Sequence, residues 1–310
     1  MSQKPAQHNK RDAMDSHAAI AAARGTAHIL VAGPTASGKS ALALAIARAH
    51  GGTIVNADAL QVYRGWPILT AQPNAADRAA APHALYGHVP DDAPYSVGLW
   101  LAEVAALAAT GARLIVTGGT GLYFRALTEG LAPVPPVPPQ TRAEADAHLA
   151  DGGIGALLAD LDPATAARID TRNPARVQRA WEVLRATGRG LADWQDATPP
   201  PLMPLDTVLP LRLDMAPDRL NPRIARRFDA MLAQGALDEA RARLPRWTPR
   251  APSSQAIGAA QLVAHLRGEM SLGDARDLSI VATRQFAKRQ RTWFRARMRN
   301  WQAVAPDMAR

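Results

Sequence analysis

The sequence contains no cysteine. That excludes disulfides, thiol nucleophiles and cysteine-held zinc, and it fits a reducing, cytoplasmic setting. No apolar run approaches the roughly 20 residues of a membrane span, and no signal-peptide core opens the chain. Internal repeats are absent. His83, His88 and His265 show no metal-ligand spacing and are expected to be structural or surface residues. Acidic residues are in deficit, with 27 Asp and Glu against 36 Lys and Arg, a net charge of +9. Such an excess suits a polyanionic partner, nucleic acid above all; a basic solvated surface is the plainer alternative. Residues 1–26 read as a disordered leader, with Met14 as an alternative start.

What is present is organised around Gly33-Pro34-Thr35-Ala36-Ser37-Gly38-Lys39-Ser40, which fits G-x-x-x-x-G-K-[ST]. The apolar run Ala27 to Ala32 precedes it like a buried parallel strand, and the Ala/Leu-rich run Ala41 to His50 follows like a helix stopped by Gly51-Gly52. That strand–loop–helix context is the one a phosphate-cradling loop requires. Its glycines let backbone N–H groups turn inward, and the helix N-terminus adds positive potential. Lys39 would reach terminal phosphate oxygens, and the Ser40 hydroxyl suits Mg²⁺. The motif specifies phosphate or pyrophosphate, not ATP and not hydrolysis.

Further strands are expected at Thr53 to Asn56 and Arg113 to Thr117, with a helix from Val97 to Thr110 between them and loop from Gly65 to Pro94. This rhythm predicts an α/β fold, a P-loop three-layer parallel sheet core with an inserted all-helical domain. Two proline-rich collars, 133–139 and 199–204, bracket a helical, basic stretch. The predicted organisation is a first core part over 27–139, a helical insertion over 140–204 and a second core part over 205–310. Within the insertion, Asn173-Pro174 and Gly188 mark the start and stop of a helix. Thr207 to Leu213 reads as a returning strand, with Pro210 favouring a sheet edge. Asp218 is a candidate cap for a helix carrying Arg223, Arg226 and Arg227. In the last long helix, from Asp274 to about Arg299, Arg284, Lys288, Arg291 and Arg295 share one face. Trp293, Phe294 and Trp301 fall in the same stretch, so that face reads as a groove for a phosphate backbone, with a solvated surface as the alternative.

A nucleotide hydrolase normally carries an acid at a strand end to hold Mg²⁺. Here the third strand ends Val116-Thr117-Gly118-Gly119, and Asp58 is the carboxylate left near the loop. One carboxylate beside a pyrophosphate cradle suggests a base that activates an acceptor while phosphate charge leaves. A small-molecule kinase fits this, and so does a transferase whose leaving group is pyrophosphate. The plainer roles are a helix cap or ion-pair partner for Asp58 and a cap for Thr120.

Four blocks carry a family resemblance: residues 33–40, Asn56 to Tyr63 (NADALQVY), Gly118 to Tyr123 (GGTGLY) and Thr283 to Gln290 (TRQFAKRQ). Together they resemble the bacterial tRNA dimethylallyltransferase family (tRNA isopentenyltransferases), in its order and spacing, over most of 27–298. The resemblance implies transfer of the dimethylallyl group of dimethylallyl diphosphate to N6 of the adenosine just 3′ of the tRNA anticodon. It implies that Gly33, Pro34, Thr35, Ala36, Ser37, Gly38, Lys39 and Ser40, with Arg223, hold the diphosphate, with Mg²⁺ at Ser40. It makes Asp58 the base and Thr120 an acceptor-side residue. Contacts to the tRNA anticodon stem-loop are implied at Asp58, Ala59, Leu60, Gln61, Thr120, Arg142, Arg176, Gln178 and Arg179, and at Arg284, Lys288, Arg291 and Arg295 in the late helix. The enzyme is expected to be a cytoplasmic monomer without membrane attachment. The rival expectations are a P-loop kinase of a small metabolite and a non-catalytic RNA-binding protein.

The chain departs from the family pattern at Ala256-Ile257-Gly258-Ala259-Ala260, where an aromatic and a cation are missing. It also departs at Gln72 for Lys, at Ala59 for Ser, and at Gly87-His88 for an acid. The net basic charge generates a first prediction. Affinity for an anticodon stem-loop RNA, measured by fluorescence anisotropy, should fall log-linearly with salt, by about 0.7 in slope per phosphate contact. A flat response would contradict the basic groove.

Overall fold

The computed structural model describes residues 13–305. The chain divides into two compact units, one built from the segments up to Arg125 and from Met203 onward, the other from Ala126–Leu202. In the first unit the apolar run before the phosphate loop forms β1 (His28–Ala32), and the loop leads into α2 (Lys39–His50). An added helix, α1 (Ser16–Ala22), precedes β1. β2 (Thr53–Asn56), β3 (His83–Ala84), β4 (Leu114–Gly118), β5 (Leu209–Leu213) and β6 (Gln302–Val304) complete a six-stranded sheet in the order β3-β2-β4-β1-β5-β6. Every pairing is parallel. Ile29 and Val31 pack with Leu42, Ala43 and Ile46 of α2, while Leu30, on the opposite face by the strand period, is equally buried. Both faces are therefore covered, which is why these strands read as continuous apolar runs.

Three expectations are corrected here. The leader is not wholly disordered. Asp15 caps α1 by accepting from the Ala18 amide at 2.7 Å, Ala19 and Ala23 join the core beside α2, and Met14 bridges Val304 beyond β6. Residues 1–12 of that leader lie outside the described residues. Pro210 is not on an edge strand, since β5 lies between β1 and β6. The ladder to β6 begins only at Leu211, so the missing donor falls where β5 still has a free side. The stretch from Gly65 to Pro94 is not all loop. It holds β3 and α3 (Ala75–Ala80), whose start is a capping box between Asn74 and Asp77.

A second core of the first unit joins α10 (Pro217–Ala233), α11 (Ala236–Arg243), α12 (Ala259–Leu266) and α13 (Leu272–Arg297) through Leu220, Ile224, Phe228, Met231, Leu262 and Ile280. Trp66 and Leu69 from the loop after β2 fill its near side. Asp218 lies in the first turn of α10 rather than at its cap, which is Ala216 with Pro217 behind it. α4 (Val97–Ala109) and the start of α5 (Gly121–Glu129) supply Trp100 and Tyr123, stacked at 4.5 Å.

The helical unit begins earlier than the predicted 140–204 and ends at Leu202. The chain just before the first proline-rich segment meets the start of the second within it: a Cβ on Gly130 would stand 2.5 Å from the Pro199 carbonyl oxygen. Its core is Ala145, Leu157, Leu161, Val177, Ala180 and Trp181, shared chiefly by α6 (Pro139–Ala159) and α8 (Pro174–Thr187), with the short α7 (Pro163–Arg168) between them and α9 (Leu191–Asp196) after. Asn173 caps α8 through the Arg176 amide, and Gly188 ends it in the left-handed region.

At the carboxyl edge of the sheet, Gly118 brings the end of β4 against the exit of β2. A Cβ there would lie 2.0 Å from the Ala57 carbonyl oxygen, a backbone atom that accepts from the Thr120 amide at 3.1 Å. Overpacking of this kind costs about 1–3 kcal/mol or more. Gly118→Ala should lower the urea midpoint accordingly, and an unchanged midpoint would contradict the close approach.

Candidate active site

The phosphate loop sits between β1 and α2, with Gly38 as the α2 cap at φ 99° and Ala36 at φ 61°. A left-handed alanine is a strained position, held here by the contacts around it. Arg223 Nε donates to the Ala36 carbonyl at 2.9 Å. Gly33 gives room for Ser37, whose hydroxyl would lie 2.7 Å from a Cβ at position 33. That hydroxyl is fully buried and has no hydrogen-bond partner, so the loop has an unanswered polar atom inside it. From Lys39 onward the first α2 amides have no intrahelical acceptor.

Not every loop amide points to a ligand. The Thr35 amide donates to Gln290 Oε1 at 2.9 Å and the Ser37 amide to the Pro34 carbonyl at 3.2 Å, while Pro34 has no N–H. The Thr35 and Ser37 amides are thus engaged within the chain, and they help to shape the loop.

Beside the loop runs a cleft lined by Ala36, Gly38, Lys39, Ser40, Ala41, Arg223, Arg226 and Arg227, with no carboxylate among them. Lys39 is only 8% exposed. Burial pushes its ammonium down to about 8, Arg227 pushes the same way, and Asp58 opposes both. Burial also lowers Arg227, with Asp58 again opposing.

Next to that cleft lies a smaller pocket lined largely by apolar side chains, among them Leu60, Leu69, Ile224, Phe228, Met231, Ile257 and Phe286. Asp58 and Thr35 stand on its wall. Ala36 and Arg227 line both cavities, so the two share a boundary.

Asp58 is placed by Asn56, a fully buried residue at the end of β2. The Asn56 amide donates to the Asp58 carbonyl at 2.9 Å and to the Leu85 carbonyl at 3.0 Å, and its Oδ1 accepts from the Asp58 amide at 2.8 Å. Trp100 Nε1 donates to the Asn56 carbonyl at 2.7 Å. Asp58 Oδ1 accepts from the Leu60 amide at 3.0 Å. Thr120 locks the same turn: its hydroxyl accepts from the Ala59 amide at 3.0 Å and its amide donates to the Ala57 carbonyl at 3.1 Å. Gln61 is turned to the Thr70 and Ala71 carbonyls, at 2.8 and 3.0 Å, and so holds the pocket-lining segment Leu69-Thr70.

Two residues outside the predicted set belong to this site. Gln290 of α13 is buried and donates from Nε2 to the Gly119 carbonyl at 2.9 Å while its Oε1 takes the Thr35 amide. It ties the phosphate loop to the turn bearing Thr120. Its place inside the TRQFAKRQ block was the available signal. Arg227 was visible only as one of three arginines on a helix.

Along α13, Arg284, Lys288 and Arg295 are exposed. Arg291 is partly buried, its Nε without a partner, and its guanidinium is lowered by burial and by Arg295, against the pull of Asp214. The expected aromatic interleaving is corrected. Phe294 and Trp301 are buried at 2% and 6% exposure, because Phe294 continues the stripe of Ala287 and Gln290. Trp293 packs over Gly121, where a Cβ would come within 2.3 Å of its ring. In the helical unit Arg142, Gln178 and Arg179 gather about Glu182, and Arg176 stands exposed in the first turn of α8.

The departures noted in the sequence also find places. Ala256 and Ala259 are buried in the second core, so an aromatic at 259 would have no room as the chain stands. Gln72 donates to the Tyr63 carbonyl at 2.7 Å, and its Oε1 lies 2.7 Å from where a Cβ on Gly87 would be. The missing cation and the missing acid are neighbours.

The IPP transferase family model matches residues 61–297, and the isopentenyl transferase model matches residues 26–77. The chain belongs to the IPP transferase family. It is 61% identical over 276 residues to a tRNA dimethylallyltransferase of Cereibacter sphaeroides, covering 89% of this chain and 95% of that one. It is 61% identical over 284 residues to that of Paracoccus denitrificans, covering 89% and 93%. Among solved structures, a tRNA isopentenylpyrophosphate transferase from Bacillus halodurans matches with a TM-score of 0.62 at 31% identity, covering 90% of this chain and 89% of that one. A eukaryotic dimethylallyltransferase acting on tRNA matches with a TM-score of 0.77 at 25% identity, covering 91% and 74%.

The buried ammonium generates a pH prediction. An anion in the cleft favours protonated Lys39, so losing that proton from the free enzyme opposes binding. The affinity advantage of the wild type over Lys39→Met for inorganic diphosphate, measured by calorimetry, should be constant below the Lys39 value of about 8 and should shrink above it, by up to about tenfold per pH unit, because the titration of diphosphate itself cancels in that ratio. Lys39→Met should bind weakly and lose the Lys39 break. A break that survives the substitution would belong to another group or to diphosphate itself.

Proposed function

We propose that this chain transfers the dimethylallyl group of dimethylallyl diphosphate to N6 of the adenosine immediately 3′ of the anticodon in tRNA, releasing diphosphate. The observation that carries the reading is the pair of adjoining cavities. One is walled by Lys39 and three arginines without a carboxylate; the other is largely apolar and carries Asp58. A prenyl diphosphate has the same two halves. Its charged end would lie against Gly38, Lys39, Ser40 and Arg223, its five-carbon chain among Leu69, Phe228 and Met231.

The reaction forms an N6–C bond and breaks the allylic C–O bond, whose electron pair leaves with the diphosphate. Lys39, Arg223 and Arg227 stabilise the charge that builds there, already oriented before it develops. The exocyclic amine of adenine is a poor nucleophile, so its alignment with the allylic carbon matters as much as basicity. The adenine has to leave the stack of the anticodon loop to reach the pocket. Asp58 accepts a hydrogen bond from the amine and then its proton; the Leu60 amide on Oδ1 fixes the carboxylate's orientation. Thr120 holds the turn that presents it. The exposed Arg284, Lys288 and Arg295, and in the helical unit Arg142, Arg176, Gln178 and Arg179, would meet RNA phosphates.

Mg²⁺ fits this donor set modestly. Among the described residues there is no group of three His, Asp or Glu that could hold a metal, so Ser40 would be the protein ligand and the diphosphate oxygens would supply the rest. The ion would lend charge stabilisation to the leaving group. Among the described residues no helix is long and apolar enough to cross a membrane; the absence of cysteine suits a cytoplasmic enzyme, here proposed as a monomer.

The test is incubation with an anticodon stem-loop RNA, Mg²⁺ and labelled dimethylallyl diphosphate, with and without ATP. Label should pass to the RNA without ATP consumption. Asp58→Ala should lower turnover by about 10²–10⁴-fold while RNA affinity changes little. ATP consumption with no prenyl transfer would overturn the proposal, and near wild-type turnover in Asp58→Ala would overturn the base.

A further inference from the structure

In the helical unit one buried carboxylate gathers three outward-reaching side chains. Glu182 lies on the inner face of α8 with its side chain 1% exposed. Oε1 accepts from Arg142 Nε of α6 at 3.2 Å and from Gln178 Nε2, one turn back, at 3.3 Å. Oε2 accepts from Arg142 Nη2 at 3.5 Å, with Arg179 Nη1 at 3.8 Å. Asp146 takes Gln178 as well, at 2.6 Å. The arginines themselves remain open to solvent, Arg142 at 65% and Arg179 at 45% exposure of the side chain.

We infer that Glu182 is a positioning residue for RNA binding, which holds Arg142, Arg179 and Gln178 as one pre-aligned donor face. The inference rests on the proposed reading of those three as RNA contacts. Stability alone gives a poor reason for the arrangement. A carboxylate withdrawn from water is costly, and an apolar side chain of similar volume serves a helix interface as well or better. Arginines this exposed return little. What Glu182 does supply is order. It relieves repulsion between two cations on neighbouring helices and removes rotamer freedom that RNA binding would otherwise have to freeze. It engages Nε and Nη2 of Arg142 and leaves Nη1 for a phosphate oxygen. The same two helices carry an ordinary surface pair for comparison: Arg185 and Glu144, 3.5 Å apart and open on both sides.

The experiment uses the full chain and an anticodon stem-loop RNA. Dissociation constants are measured for the wild type, Glu182→Gln, Arg142→Ala, their double mutant and Glu144→Gln. Glu182→Gln and Arg142→Ala should each weaken binding by about tenfold, and the double mutant by clearly less than the product, the mark of groups acting through one another. Glu144→Gln should bind like the wild type. In turnover, Glu182→Gln should raise KM for RNA and leave kcat and the diphosphate dissociation constant unchanged. A lowered melting temperature with unchanged RNA affinity, or effects that simply multiply, would overturn the inference while leaving the RNA contacts standing. An inert Arg142→Ala would remove the contact reading and the inference with it. If Glu182→Gln does not fold, Glu182→Met, which keeps the volume without polar atoms, takes its place in the same measurements.

Discussion

The structure depends on a concentration of positive charge that the folded chain does not itself neutralise. Lys39 is nearly buried and Arg227 presses on it, with Arg223 and Arg226 on the same cleft wall. Asp58 is the nearby group that opposes the shift of both Lys39 and Arg227. Cations held this close raise the energy of the empty site. On the proposed reading, an arriving diphosphate would lower it again, most of all when negative charge peaks on the leaving group. The same logic keeps other carboxylates out of the cleft lining.

Such a site works only if its parts cannot drift apart, and the fold secures them from far along the chain. Gln290 spans the Thr35 amide and the Gly119 carbonyl, and Arg223 grips Ala36 from α10. The cradle's outline is therefore set by helices that follow the helical unit in sequence. The chain has to return through β5 and run on to α13 before the loop near its beginning acquires these contacts. Asn56 and Thr120 do the same for Asp58 by holding the backbone of its turn.

Much of this was legible in the residues because local chemistry dictates it. The strand–loop–helix around Gly33–Ser40 needs little beyond its glycines and apolar flanks, and the cap at Asn173 is written in the order Asn-Pro followed by Gly188. What was not legible depends on tertiary partners. α1 looked like leader because seven mostly small residues declare no face until α2 supplies one. β6 is three residues long and exists by pairing with β5. Phe294 and Trp301 looked like a stacking platform beside arginines, yet helical phase turns Phe294 inward with Gln290. In the site, the partners of the Thr35 and Ser37 amides could not be read from the motif, since Gln290 lies far along the chain and the Pro34 carbonyl turns inward only in the folded loop.

The site also explains how a loop common to nucleotide hydrolases can serve a transfer that must exclude water. At the end of β4, where a hydrolase would place a metal-holding acid, Thr117 is buried and donates its hydroxyl to the Val31 carbonyl of β1. That end of the sheet is spent on strand cohesion. The neighbouring volume is lined by leucines, phenylalanines and a methionine, surfaces that hold water poorly. On the proposed reading, a carbocation-like carbon developing there would meet few competing nucleophiles, and Asp58, the carboxylate on the pocket wall, is aimed by its own turn. On that reading the phosphate loop would hold the anion and its metal ion and take no further part in choosing the acceptor. Chemical selectivity comes from what the fold packs beside it, and that division explains why the motif by itself could not distinguish a kinase from a prenyl transferase.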